Sequence, residues 1–204
     1  MAPFYCWRQP PCRRRKSPEY TFGTTVVTNS WLQGRIYYLN PNTRKLPRLD
    51  QMQMQGTVYT NTLNIWPQRF DQGFPGITDR FEWFAIDYAG RFWVEQPGEY
   101  RFSLLSDDGA TLELDKKPVV DNDGIHAASA LSGSAVLSCG VHTIRVSYFQ
   151  GPRFQVALVL AIAPPGGRWR IFNTDDFPPP KDPVEWVTGK ISQVRSSVST
   201  GQER

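Results

Sequence analysis

Apolar and polar residues alternate with a period of two along most of the chain. In "EYRFSLL", Tyr100, Phe102 and Leu104 fall on one face and Arg101 and Ser103 on the other, which predicts a half-buried strand. "ATLELD" repeats the pattern, with Ala110, Leu112 and Leu114 set against Thr111, Glu113 and Asp115. Between the two runs, "SDDG" at 106–109 has the composition of a turn. The pair therefore predicts a hairpin, with Gly109 supplying a positive φ.

Further strands are predicted in "HTIRVSY", with Ile144, Val146 and Tyr148 inward, and in "RFQVALVLAI", where Phe154, Val156, Leu158, Leu160 and Ile162 share a face. Gly151 and Pro152 turn between them. Upstream, "RFEWFAIDYAGRFWV" predicts two aromatic-rich strands broken near Ala89 and Gly90, and "GRIYYL" and "GTVYTN" predict shorter ones. No stretch of the body joins helical periodicity to caps and length. Short strands linked by Gly, Pro, Asn and Asp turns predict an all-β domain, an antiparallel β-sandwich or jelly-roll-like barrel.

Composition divides the chain into a body and two arms. Residues 1–20 are rich in Pro and Arg, and "FPPPKDP" at 177–183 marks a second boundary, because consecutive prolines favour extended polyproline geometry. The expected domain is residues 21–177, flanked by an irregular N-terminal arm (1–20) and a polar C-terminal tail (178–204). The formal net charge of +4 is local: Arg8, Arg13, Arg14, Arg15 and Lys16 supply five positive charges, leaving the rest of the chain at −1, four less five. A near-neutral body gives no basis for nucleic-acid binding, while the arm itself suits an acidic partner or simple solvation.

Three cysteines, Cys6, Cys12 and Cys139, lack the spacing of a zinc site. Cys6 and Cys12 can close a small loop around Pro10 and Pro11 in an oxidising compartment, and Cys139 sits where a small buried residue suffices. The chain has no run of about 18 apolar residues, so no transmembrane segment is expected, and its first twenty residues lack the apolar core of a signal peptide.

A further set of motifs occurs in order: "GEYRF", the "SDDG" turn, "DKKPVVD", "CGVHTIRV" and "SYFQGP". This series resembles the PA-fourteen domain family, named after a module of anthrax protective antigen and found also in fibro-slime proteins, glycosidase inserts and yeast adhesins. The resemblance extends over roughly residues 31–165, with "LQGRIYYLN" similar to the family's opening strand. It implies a jelly-roll sandwich and an extracellular or cell-surface setting, and by itself no activity, because one fold hosts many functions. In lectin members the paired aspartates hold a calcium ion that binds sugar hydroxyls, which maps onto Asp107 and Asp108.

The residues themselves leave two readings of that turn open. Two carboxylates begin a calcium site, which needs six to eight oxygens, and the loop after "SYF" offers only the amide oxygen of Gln150, beside Arg153, whose positive charge repels a cation. The same residues also make an ordinary turn whose carboxylates accept backbone N–H groups. "VVDNDGIH" echoes an EF-hand start but lacks the downstream Glu, so an Asx turn is expected there, with His126 and His142 structural. The adjacent acids Asp107–Asp108 and Asp175–Asp176 cannot flank a glycosidic bond, and no nucleophile or phosphate-loop motif occurs, so no catalysis is expected. The expected function is carbohydrate recognition or surface adhesion, with Trp66, Trp83, Trp93 and Trp169 as aromatic candidates, Trp83 and Trp93 being favoured for the core. The alternative is a structural subunit of a larger assembly, held through protein partners at 1–20 and 178–204.

Overall fold

A computed structural model describes residues 32–77 and 80–178. Both expected arms, except for Pro178, lie outside these residues, as do Cys6 and Cys12 and residues 21–31. Eleven strands form two antiparallel sheets packed face to face. They are β1 (Leu32–Tyr38), β2 (Met54–Thr60), β3 (Asn64–Arg69), β4 (Phe84–Val94), β5 (Gly98–Asp107), β6 (Ala110–Leu114), β7 (Lys117–Asn122), β8 (Ser129–Leu137), β9 (Gly140–Gln150), β10 (Gln155–Ala163) and β11 (Arg170–Ile171). One sheet has the order β2-β1-β4-β9-β6-β7. The other runs β11-β10-β5-β8, with β3 also paired to β10. No closed barrel forms among the described residues.

The predicted alternation reappears as burial. Phe102, Leu104, Ala110, Leu112, Ile144, Val146, Tyr148, Leu158, Leu160 and Ile162 all point between the sheets and are essentially sealed from solvent. Phe154 is an exception; it precedes β10 and is exposed. The aromatic run at 84–94 is one unbroken strand rather than two, since Ala89 and Gly90 pair in register with Arg145 and Ile144 of β9. Its first half, Phe84 to Tyr88, is buried on both faces, which hides the alternation. The segment around Leu39, Leu46, Leu49 and Met52 folds over the outside of the sheet against Tyr37, Ala85 and Phe149, forming a second apolar cluster.

The expected hairpin at "SDDG" does not form. β5 belongs to one sheet and β6 to the other, so residues 107–110 carry the chain across the sandwich. Local alternation fits either arrangement, because both put the same side chains into the same core. Gly151 to Phe154 makes a second crossing, from β9 to β10. The two crossings lie side by side: the Phe149 N–H donates to the Gly109 carbonyl at 2.9 Å.

Gly109 is required there by proximity, not by a positive φ. A Cβ on it would lie 2.5 Å from the Phe149 ring and 2.6 Å from the Gly124 backbone nitrogen.

Cys139, expected as a small buried filler, is partly exposed and disulfide-bonded. Among the described residues, no helix is long and apolar enough to cross a membrane.

Candidate functional site

The two crossings bring Asp107, Asp108, His126 and Gln150 to one end of the sandwich. Both aspartates are buried, 5% and 3% exposed, and the peptide bond between them is cis. Asp108 is held from three sides. Its Oδ2 accepts from the Gly151 N–H at 2.7 Å and from the Gln150 side-chain amide at 3.3 Å, and its Oδ1 accepts from the His126 N–H at 3.2 Å. The Asp107 carbonyl accepts from the Tyr148 hydroxyl at 2.7 Å.

Gln150 is fully buried and turned away from the role of an oxygen donor. Its amide NH2 faces Asp108 and the carbonyls of Pro152 and Gln155, while its Oε1 faces the Tyr148 hydroxyl at 2.6 Å. Arg153, on the β9–β10 crossing, pairs at 2.8 Å with Glu82, which precedes β4, in an exposed contact. The structure thus brings Asp107, Asp108 and Gln150 together and orients the guanidinium of Arg153 toward Glu82.

Burial gives the acidic pair unusual electrostatics. Desolvation, with the neighbouring Asp108 charge added, raises Asp107 to about 6, against N–H donation from Ala128. Asp108 is also raised by desolvation, opposed by the Gly151 and His126 N–H groups. Among the described residues, no Lys or Arg forms an ion pair with either carboxylate. The nearby cationic group is His126. Its Nδ1 lies 2.9 Å from the Ala127 carbonyl and its Nε2 3.0 Å from the Asn122 carbonyl, and only a doubly protonated ring donates to both. Burial works against that charge, but those two carbonyls and the charges of Asp108 and Asp107 raise His126 above its ordinary value.

The Asx turn expected in "VVDNDGIH" is present: the Asp123 N–H donates to Asp121 Oδ1, and Asp123 itself accepts from the Leu46 N–H. His142, on β9, reaches the β6–β7 turn, its Nδ1 2.6 Å from Asp115 Oδ2 and its Nε2 3.0 Å from the Ser138 carbonyl. Asp175 accepts from the Asn61 amide and Asp176 pairs with Arg170, so the second acidic pair fastens the last turn of the fold. No group of three or more His, Cys, Asp or Glu capable of enclosing a metal occurs among the described residues.

The aromatic candidates separate by position. Trp83 and Trp93 are partly buried, and Trp83 packs on the outer apolar cluster. Trp169 is exposed over Arg101, which lies six residues, about 20 Å, along β5 from Asp107. Trp66 is 59% exposed on β3. With Pro67 it fills the irregularity where the β3–β10 register shifts around Ala157, whose other neighbour is Asp107, so its backbone lies roughly two strand spacings, about 10 Å, from that of Asp107. The Trp66 position follows from register across three strands and could not be read from the sequence.

The family model of the PA14 domain matches residues 34–169, two thirds of the chain. No curated protein matches significantly in sequence. Among solved structures, the chain is similar to an "anti-sigma factor domain-containing protein", with 18% identity, TM-score 0.58 and 74% of this chain covered. It spans about half of that protein, 49%. It is similar to a "PA14 sugar-binding domain from RTX adhesin", with 19% identity, TM-score 0.60, and 72% and 96% of the two chains covered. It is also similar to the Epithelial Adhesin 9 A domain from Candida glabrata in complex with Galβ1-3GlcNAc, with 13% identity, TM-score 0.52, and 72% and 88% covered. At these identities the likeness establishes the fold.

Proposed function

The chain belongs to the PA14 domain family, and on that premise we propose that it is a non-catalytic carbohydrate-recognition or adhesion module. The proposed site is the Asp107–Asp108 corner, and a calcium ion completes it. The observation that carries this reading is the buried acidic pair without an ion-paired Lys or Arg among the described residues. Ionised carboxylates taken out of water with only His126 nearby to offset them are costly, and a divalent cation reduces that cost.

The donor set fits such an ion. Each carboxylate oxygen has two lone pairs, so the N–H bonds on Asp108 leave acceptor capacity unused. Two carboxylates fall short of six to eight oxygens, and hydroxyls of the sugar, with water, supply the remainder. The bound ion would supply a hard cation to which vicinal hydroxyls coordinate. Trp66, exposed on β3 with its backbone about two strand spacings from Asp107, offers an apolar ring face for the carbon side of the sugar. Two structural neighbours, a sugar-binding adhesin domain and an adhesin bound to a disaccharide, lend this reading weight. A disulfide at Cys139 favours an oxidising, extracellular setting.

The test is calcium titration by calorimetry on the wild-type chain and on Asp107→Asn and Asp107→Asn/Asp108→Asn variants, with thermal melting alongside. Saturable binding lost in both variants, followed by chelator-sensitive binding on a glycan array, supports the proposal. No heat of binding, with only the double variant losing stability, makes the corner a structural turn.

A further inference from the structure

The lateral edge of the sandwich holds a second feature, separate from the acidic corner. Where β2 and β3 end the two sheets, a cleft of about 600 Å³ opens, bounded by Val58, Leu63, Ile65, Pro75, Asn64 and Tyr88 among other described residues. That volume lies within the range of small-molecule sites. Its described lining contains no charged side chain. Apolar residues predominate, and the amide of Asn64, exposed on β3, makes no side-chain hydrogen bond within the described fold.

Tyr88 gives the cleft its chemistry. The side chain is 3% exposed, and its hydroxyl has no hydrogen-bond partner among the described residues. It is also not among the buried polar atoms sealed off without a partner, which are Asn61 Oδ1 and Arg80 Nε. The hydroxyl therefore has access to the cleft that its residue lines. The neighbouring strands are shaped around this ring. Gly34 of β1 pairs with Tyr88 across the ladder, and a Cβ on Gly34 would lie 2.7 Å from the Tyr88 ring and 2.8 Å from Val58. A glycine at that point lets the ring lie flat across β1 toward β2. Burial raises the phenol's pKa, so the hydroxyl stays a neutral donor.

The Tyr88 hydroxyl faces the cleft without a protein acceptor among the described residues, so an acceptor on a ligand seated there can take its hydrogen bond. We propose that this cleft is a binding site for an uncharged, mainly apolar ring compound carrying one oxygen acceptor, which receives the Tyr88 hydroxyl while the ring packs on Val58, Leu63, Ile65 and Pro75. The described lining carries no charge to pair with an ionic ligand, and the Tyr88 hydroxyl, together with the exposed Asn64 amide, selects for the oxygen. The site shares no residue with the acidic corner, so either can fail alone.

The probes are anisole and toluene, which differ by one ether oxygen, with methyl glucoside as a polar comparison. Binding to the full chain is followed by amide chemical shifts. Wild-type protein is expected to shift at residues 57–65 and 76 and to bind anisole about tenfold more tightly than toluene, one well-made hydrogen bond's worth. Tyr88→Phe should bind both alike, at the toluene affinity, and melt at or above the wild-type temperature because the hydroxyl had no partner. Asn64→Trp, at an exposed position, should block both. The proposal is overturned if anisole stays favoured in Tyr88→Phe, if that variant melts well below wild type, if methyl glucoside binds more tightly than anisole, or if no probe shifts the cleft.

Discussion

Asp108 Oδ2 lies 2.7 Å from the Gly151 nitrogen, so one carboxylate ties the crossing between β5 and β6 to the crossing between β9 and β10. Its neighbour Asp107 takes no comparable part through its side chain; its carbonyl makes the bond to Tyr148. The two adjacent acids therefore have different structural weight, which mutation should expose.

Asp108→Ala removes the acceptor of three buried donors, Gly151 N–H, His126 N–H and the Gln150 amide. A loss of about 2–4 kcal/mol is expected in chemical denaturation. Asp107→Asn removes a desolvated charge beside another and should be neutral or stabilising at pH 7.5. Equal losses from the two variants would contradict this division.

Stability should rise as pH falls from 8 toward 5. Asp107 has its folded value raised to about 6, so its contribution is fully present below its ordinary value near 3.8 and lost as pH rises through about 6. His126 is also raised and has the same sign, losing its contribution as pH climbs past its folded value. Asp115 and Glu82 act oppositely. Partial desolvation raises Asp115, but hydrogen bonds from His142 and Thr143 lower it on balance, and Glu82 is lowered by Arg153; both lose stabilisation in acid. A melting-temperature maximum near pH 5 is expected by this reasoning, and Asp107→Asn should flatten its alkaline side. Added calcium should flatten it likewise.

On the outer face of the larger sheet, Arg145 pairs with Asp87 at 2.7 Å, and the Ser147 hydroxyl donates to the same oxygen at 2.8 Å. The Asp87 side chain is nearly buried and Arg145 is half open. Arg145→Ala should cost about 1–2 kcal/mol, because solvent screens one partner but not the other. A double-mutant cycle with Asp87→Ala should recover a coupling of similar size.

Gly109→Ala places a methyl group against the Phe149 ring and the Gly124 backbone. A destabilisation of about 1–3 kcal/mol is expected, together with loss of calcium binding if the acidic corner is the metal site. Retained stability would show that the crossing relaxes more readily than its contacts suggest.

The sandwich was legible because alternation survives in β5, β6, β9 and β10, where one face meets the core. It was lost at Phe84 to Tyr88, where the 39–52 segment covers the second face and every residue is buried. The acidic turn was legible as a turn. Its destination was not, since Tyr100, Phe102 and Leu104 point into the same core whether β5 continues into a hairpin or crosses over. The partners of Asp108 were equally hidden, because a backbone N–H at Gly151 carries no sequence signature. The cleft beside Tyr88 depends on two strand edges failing to meet, which no local pattern records.

Asp108 and Gly151 are 43 residues apart in sequence, and Tyr148 reaches back 41 residues to Asp107. A local hairpin could form early from its own few residues; a corner assembled across such separations must wait for the chain to close those loops. The acidic corner therefore forms only once distant segments have met, and ligand capture there reports that both sheets have docked. A refolding experiment that follows binding should lag one that follows burial of the aromatic residues.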